Sequence, residues 1–542
     1  MKNGFGFSRT LSLSDESFCR EWHQLQFADI VKTSFTHHHV PSGEQMAQVK
    51  FLLDAPESRG WSLDPQLIHV LDLERTPYQV KSRIENGILI CQTATPESLR
   101  VQVPWALPGQ DPVVLGTSTL PARPEPYLLV LELARGRLTE LRHFFQEGPA
   151  IGSKPVPKPL VEAHNIFVQA VLCRDDVARC AALATRSLEL SLIVARNHLA
   201  KIVVPAVSDP ILSEKLCLDI TGVPETDPRL GWAFTQTSAC RIGPVWRELM
   251  PLENKIDWAS WELPVNLAHE SGVKVHAGPL IDFSEAGLPT WLSRYDDVVQ
   301  LSRVIANYVY YVVRNLKQKV DVWHVVRRPA MGVVNGLTEE QQIKITVAAI
   351  QAVAQAAPDA EVVVDLTTPW AEWLSHGGFE LGPLHLADTL ARADLGLTGI
   401  GLELALGYHA PGSHRRELID IAKMLDLYQL VNLPLHLNFA IPSQIQSLPW
   451  NPRPDQIVAD PRQWPRGCEE KDQAEMALNV MRLAASKPFV HTITWSRLCD
   501  DLPGEFQHSG LFDQQGQPKL LALELEKVRQ KRSAKSAPPA FR

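Results

Sequence analysis

The C-terminal two-thirds of the chain alternates between two hydrophobic periods. Short apolar runs at 201–204, 231–235, 273–277, 320–326, 361–365, 399–403, 433–437 and 490–495 read as buried strands, because each is brief and most are rich in β-branched or aromatic residues. Between them lie longer stretches with apolar residues at three- and four-residue steps, the signature of helices packed on one face. Thr338-Glu-Glu-Gln341 supplies a capping box ahead of Ile343, Ile345, Val347, Ile350 and Val353. Strand–helix alternation implies a parallel sheet, and eight units predict a closed (β/α)8 TIM barrel over 200–530. The six prolines of 441–470 place a long loop after the seventh strand, over the C-terminal face of that barrel.

The first 200 residues are patterned differently. Residues 1–44 are polar, and Thr36-His-His-His39 within them reads as a solvated loop. Residues 45–125 carry about five short strand-like runs, with an Asn86-Gly87 hairpin signal between two of them. They predict a β-rich, sandwich-like module. From 126 to 199 the period is helical, interrupted by a proline-rich break at 148–159, so this stretch reads as bridging helices. The tail 531–542 is basic and reads as a solvated end. The predicted fold class is therefore α/β: a β-rich N-terminal module, bridging helices and a barrel.

Composition narrows the function classes. A net charge of -8 offers no basic surface for nucleic acid. None of the eight cysteines forms a CxxC pair, which argues against a zinc ribbon or a disulfide framework. The first residues lack an apolar signal core and no run reaches the length of a membrane span, so a reduced, cytoplasmic protein is expected. Neither a glycine-rich phosphate loop nor an HExxH pattern is present, so no cofactor and no metal are implied.

Barrel enzymes keep their chemistry at the C-terminal ends of the strands. Here the fourth strand ends in Arg327-Arg328-Pro329. Carboxylates stand at three other predicted strand ends: Asp282 after the third, Asp365 on the fifth and Glu403 on the sixth. These acids either ion-pair with the arginines or form a relocated acid/base pair. The arginines could instead grip an anionic ligand, with His436 and Asn438 on the seventh strand adding polar contacts. Trp246 and Trp495 offer sugar-stacking faces or framework packing.

These residues fall into a familiar order. Trp246-Arg-Glu-Leu-Met-Pro251 followed by Asn254-Lys-Ile-Asp-Trp258, Gly399-Ile-Gly-Leu-Glu403, Leu433-Pro-Leu-His-Leu-Asn-Phe439, Ile493-Thr-Trp495 and Gly510-Leu-Phe-Asp-Gln-Gln-Gly-Gln-Pro-Lys519 resemble, in sequence and spacing, the motifs of glycoside hydrolase family 10. That is the family of xylanase-like barrels, and the chain looks most like its divergent planctomycete-type members. The resemblance implies a retaining glycosidase with two glutamates, one as acid/base and one as nucleophile. Carried over position by position, the acid/base falls on Arg328, its asparagine neighbour on Arg327 and the nucleophile on Phe439. The family's Asn-Glu-Met-Lys-Trp motif becomes Ile242-Gly-Pro-Val-Trp246, so its substrate-binding polar residues are replaced as well. An arginine cannot donate and then retrieve a proton near neutral pH, and phenylalanine has no nucleophilic atom. The expectation is an inactive or strongly altered barrel that binds a carbohydrate or acidic sugar. The alternatives are a glycosidase working through Glu403, Asp365 or Asp282, and a non-catalytic scaffold for protein partners.

Overall fold

A computed structural model describes residues 47–536, apart from 55–61, 72–76, 95–97, 147–155, 254, 285, 332–333, 335, 377–380 and 447–455. Thr36–His39 of the polar segment and the end of the tail lie outside the described residues. The N-terminal module holds two four-stranded sheets, with strands 81–85, 88–93, 47–52 and 127–128 in one and 77–78, 69–71, 100–105 and 113–116 in the other. The Asn86-Gly87 turn forms as expected. Both residues take the left-handed conformation, φ 50° and 75°, and Glu85 pairs with Ile88 across it.

Three helices follow, Leu129–Gln146, Lys158–Leu172 and Val177–Leu199. Asp176, in the turn between the last two, accepts a hydrogen bond from the Arg179 backbone and so caps the third. The helices join the module to the barrel through apolar packing in one continuous core. The join is also polar: Arg137, 2% exposed, donates to both oxygens of Asp420 on a barrel helix at 3.0 and 2.9 Å.

The barrel closes with eight parallel strands: Leu216–Asp219, Ala239–Ile242, Lys274–Ala277, Val322–Arg327, Glu361–Thr367, Gly399–Ala405, Leu435–Ala440 and Val490–Trp495. The eighth pairs with the first, and a short added strand, Ile281–Asp282, extends the third beside the fourth. Six strands lie where the apolar runs placed them, and the first two do not. Residues 201–204 form a turn ahead of helix Pro205–Lys215, and 231–235 lie inside helix Arg229–Gln236. The latter run is aromatic enough for a strand, but the buried positions of the helix that contains it are Leu230 and Ala233, three residues apart, as a helix face requires. The true strands, Leu-Cys-Leu-Asp and Ala-Cys-Arg-Ile, are four residues each and contain ionisable groups, so they carry little periodic signal. The helix after the fourth strand starts at the expected capping box, Thr338 with Gln341. Among the described residues no helix is long and apolar enough to cross a membrane.

Alternation along the strands decides what faces the barrel axis. On the sixth strand Gly399, Gly401 and Glu403 point inward. Gly401 faces Asp365 and Gly399 faces His436, while Leu402 and Leu404 join the core outside. On the seventh strand His436 and Asn438 point inward, and Leu437 and Phe439 join that outer core.

Candidate functional site

A cavity of about 1020 Å³ opens at the C-terminal mouth, with Asp219, Arg241, Asp282, Arg327, Arg328, Asn438, Ser496 and Glu505 on its wall. Two consecutive residues at a strand end normally face opposite sides. Arg328 escapes this because its φ is 60°, a left-handed turn rare for a non-glycine residue. Its backbone N–H donates to the Asp365 carbonyl at 3.1 Å. Both guanidiniums therefore reach the same acids.

The resulting network is internal. Arg327 Nε donates to Glu403 Oε2 at 3.0 Å, Nη2 to Glu505 Oε2 at 2.7 Å and Nη1 to Asp282 Oδ2 at 3.1 Å. Arg328 Nη2 pairs closely with Glu505 and lies 3.8 Å from Glu403 Oε1. Two guanidiniums thus face three carboxyl groups, of which Glu403 is buried while Asp282 and Glu505 keep part of their surface. Burial raises the pKa of Glu505, but the two guanidiniums outweigh it and draw the carboxyl down to about 2. Glu403, only 4% exposed, responds the other way. Burial pushes it up and the arginines recover only part of the shift.

Glu505 comes from the loop after the eighth strand. Arg497 folds that loop by donating from Nε to the Cys499 carbonyl at 2.9 Å and from Nη1 to the Phe506 carbonyl at 2.8 Å. The Ile457 N–H donates to the Glu505 carbonyl at 2.8 Å, so the long loop after the seventh strand braces the same segment. The expected position of that loop over the mouth is realised in its described part.

The acids at predicted strand ends divide. The Asp282 carboxylate meets Arg327 and that of Glu403 meets both arginines, whereas that of Asp365 meets neither. Asp365 lies one layer deeper, where Arg241 Nη2 donates to its Oδ2 at 2.6 Å and His324 Nδ1 lies 2.9 Å from its Oδ1. Burial would raise its pKa, yet Arg241 and His324 hold it well below the usual carboxylate range. Asp219, beside Arg241 on the neighbouring strand, shows the reverse balance, with burial the larger effect and its pKa raised.

The other expected site residues are scattered. Trp246 borders the cavity but is 1% exposed and stacked on Tyr308, with ring centroids 4.2 Å apart, so it has no open face for a sugar. Trp495 is fully buried, and its Nε1 donates to the Ser509 carbonyl at 2.9 Å. Both are framework residues, and the stacking role expected of them has no surface to act through. His436 lies below the mouth inside the barrel. Only Asn438 reaches the cavity from the seventh strand, its Nδ2 donating to Glu403 Oε2 at 3.4 Å. Arg328 Nε, Asp282 Oδ1, Asn438 Oδ1 and Ser496 Oγ are buried on the cavity wall without a hydrogen-bond partner among the described residues.

Sequence reasoning missed Glu505, Arg241 and Asp219. Glu505 is a loop residue with no periodic position. The other two sit on the strands that were misplaced. Reasoning also missed two clusters whose donor atoms lie within 4.8 Å of one another: His276, His324 and His436 inside the barrel, and His69, Glu372 and His414 where the N-terminal module meets it.

The Glu505 shift has a consequence for acid stability. An unfolded glutamate titrates near 4.3, roughly, and folded Glu505 near 2, so its contribution is complete above the unfolded value and is lost as pH falls toward 2. Urea midpoints for wild type and Glu505→Gln should therefore differ most near neutral pH and converge between about pH 4 and 2. A gap that stays constant over that range would show that the ionised carboxylate is not what the arginines hold.

No family model matches the chain, and no curated protein matches it. Among solved structures, the chain is similar to xylanase 10B from Thermotoga maritima, at 16% identity over 62% of this chain and 98% of that one, TM-score 0.46. It is also similar to the GH10 protein from Paenibacillus barcinonensis, at 16% identity over 62% and 99%, TM-score 0.46. A third is xylanase 10B from Thermotoga petrophila in complex with xylobiose, at 17% identity over 61% and 96%, TM-score 0.45.

Proposed function

We propose that this chain is a family-10-like barrel that binds a neutral saccharide in its mouth and does not hydrolyse it. The observation that carries this reading is the ion-pair cluster at the end of the fourth strand. Retaining hydrolysis needs one carboxylic acid free to cycle a proton and one free to attack. Here Glu403 and Glu505 are both bound to Arg327, and Asp365 is bound beneath them to Arg241. Asn438, the seventh-strand residue facing the cavity, offers no nucleophile.

The same cluster argues against an acidic sugar. Arg327 and Arg328 are already matched by three carboxylates, so an added anion would compete with resident ones. Sugar hydroxyls both donate and accept, and they suit a cavity wall that carries neutral polar side chains such as Thr221, Ser284 and Asn438.

One observation favours a second reading, hydrolysis by relocated acids. Glu403 is pushed up while Glu505 is drawn down, the split that separates an acid from a carboxylate partner. Against it, Glu403 lies behind Arg327 and is not on the cavity wall.

Isothermal titration with neutral and uronic-acid-bearing xylo-oligosaccharides, beside a reducing-end assay, separates the readings. The expected result is binding of neutral oligosaccharides, weakened about three- to tenfold by Asn438→Ala, the loss of one neutral hydrogen bond, with no reducing ends released. Release abolished by Glu403→Gln would establish the relocated mechanism. Absence of any saccharide binding would leave a scaffold for protein partners and remove the proposal.

A further inference from the structure

Beneath the mouth, the barrel interior holds three histidines where aliphatic packing is the norm. His276 is on the third strand, His324 on the fourth and His436 on the seventh, at 3, 2 and 5% exposure. Their ring centroids form a nearly equilateral triangle, 5.7, 5.9 and 6.0 Å on its sides. His324 Nε2 and His276 Nδ1 face each other at 3.5 Å. That is long for a hydrogen bond. It matches the separation, about 3.3–3.6 Å, of two nitrogens that ligate one ion at about 2.0–2.1 Å. His436 Nδ1 is buried with no hydrogen-bond partner among the described residues.

The surroundings prepare these rings as ligands. Asp365 accepts from His324 Nδ1, which fixes the tautomer with the Nε2 lone pair toward His276. Arg241 in turn holds Asp365. Gly399 leaves room for the third ring, since a Cβ there would lie 2.9 Å from His436 Nε2.

We propose that His276, His324 and His436 form a three-histidine site for a divalent transition-metal ion of the zinc class, with Asp365 as the residue that orients His324. This site is separate from the saccharide-binding mouth and does not depend on that reading.

The test uses the purified full-length protein, metal analysis by mass spectrometry, and Zn2+ or Co2+ added after chelator treatment. The expected result is one equivalent of tightly bound ion and a rise in melting temperature on adding Zn2+. Co2+ should give the intense visible absorption of a low-coordinate nitrogen site. Both signals should be lost in His276→Asn and in His436→Asn, and be unchanged in His414→Asn, which alters the other cluster. Should the barrel variants fail to fold, His414→Asn still decides the matter. Metal lost in that variant assigns the ion to the His69 cluster and overturns the proposal. Wild-type protein that takes up neither ion also overturns it.

Discussion

Arg327→Ala is expected to cost about 3–5 kcal/mol of folding stability, the usual penalty for leaving a buried charge without its partner. Glu403 is 4% exposed and takes its two shortest contacts from Arg327. Arg328, 3.8 Å from its other oxygen, can recover only part of the loss. The same substitution frees one face of Asp282 and of Glu505, so three carboxylates are left on one guanidinium. Neutralising the partner should restore stability. Arg327→Met with Glu403→Gln removes both charges while keeping volume, and such exchanges are often neutral. Guanidinium denaturation of the single and double variants measures this. A single-variant loss below about 1 kcal/mol, the range of exposed pairs, would mean that solvent screens the cluster and that Arg327 does not hold Glu403 as described.

The second large effect is expected at Gly401. A Cβ built there falls inside the contact distance of Asp365 Oδ1 and its carboxyl carbon. Asp365 has nowhere to yield, because Arg241 and His324 hold both oxygens. Gly401→Ala must therefore either displace the sixth strand or break the Arg241 pair. Overpacking alone costs about 1–3 kcal/mol, and an unpaired buried arginine about 3–5 kcal/mol. The expected outcome is little soluble protein at 37 °C. Gly231→Ala is the control. That glycine lies inside a helix with nothing within 4 Å of the added methyl, so alanine should stabilise by about 0.5–1 kcal/mol. Equal behaviour of the two variants in thermal melts would show that Asp365 is not fixed as described.

Much of the architecture was legible because it depends on local period. The Asn86-Gly87 turn, the Thr338 capping box and the last six barrel strands each rest on residues close in sequence. The first two strands were lost because four residues cannot display a period, and a neighbouring aromatic helix imitated a strand. The site was legible only where acids end regular strands. Asp282 and Glu403 could be foreseen opposite Arg327, but the depth of Asp365 could not. Depth depends on register between strands, and the fourth and fifth are offset by an irregularity between His324 and Val326.

By itself, then, the sequence determined the kind of fold and put two arginines at the end of the fourth barrel strand. Alternation and spacing are enough for that, since they specify which side chains face a barrel axis. Whether those arginines stay open to a ligand was decided only in three dimensions. The left-handed turn at Arg328 and the loop carrying Glu505, folded around Arg497, close both guanidiniums onto resident carboxylates. The three interior histidines likewise become neighbours only when the barrel closes, because charge pairing and ligand geometry are set by distance through space rather than along the chain.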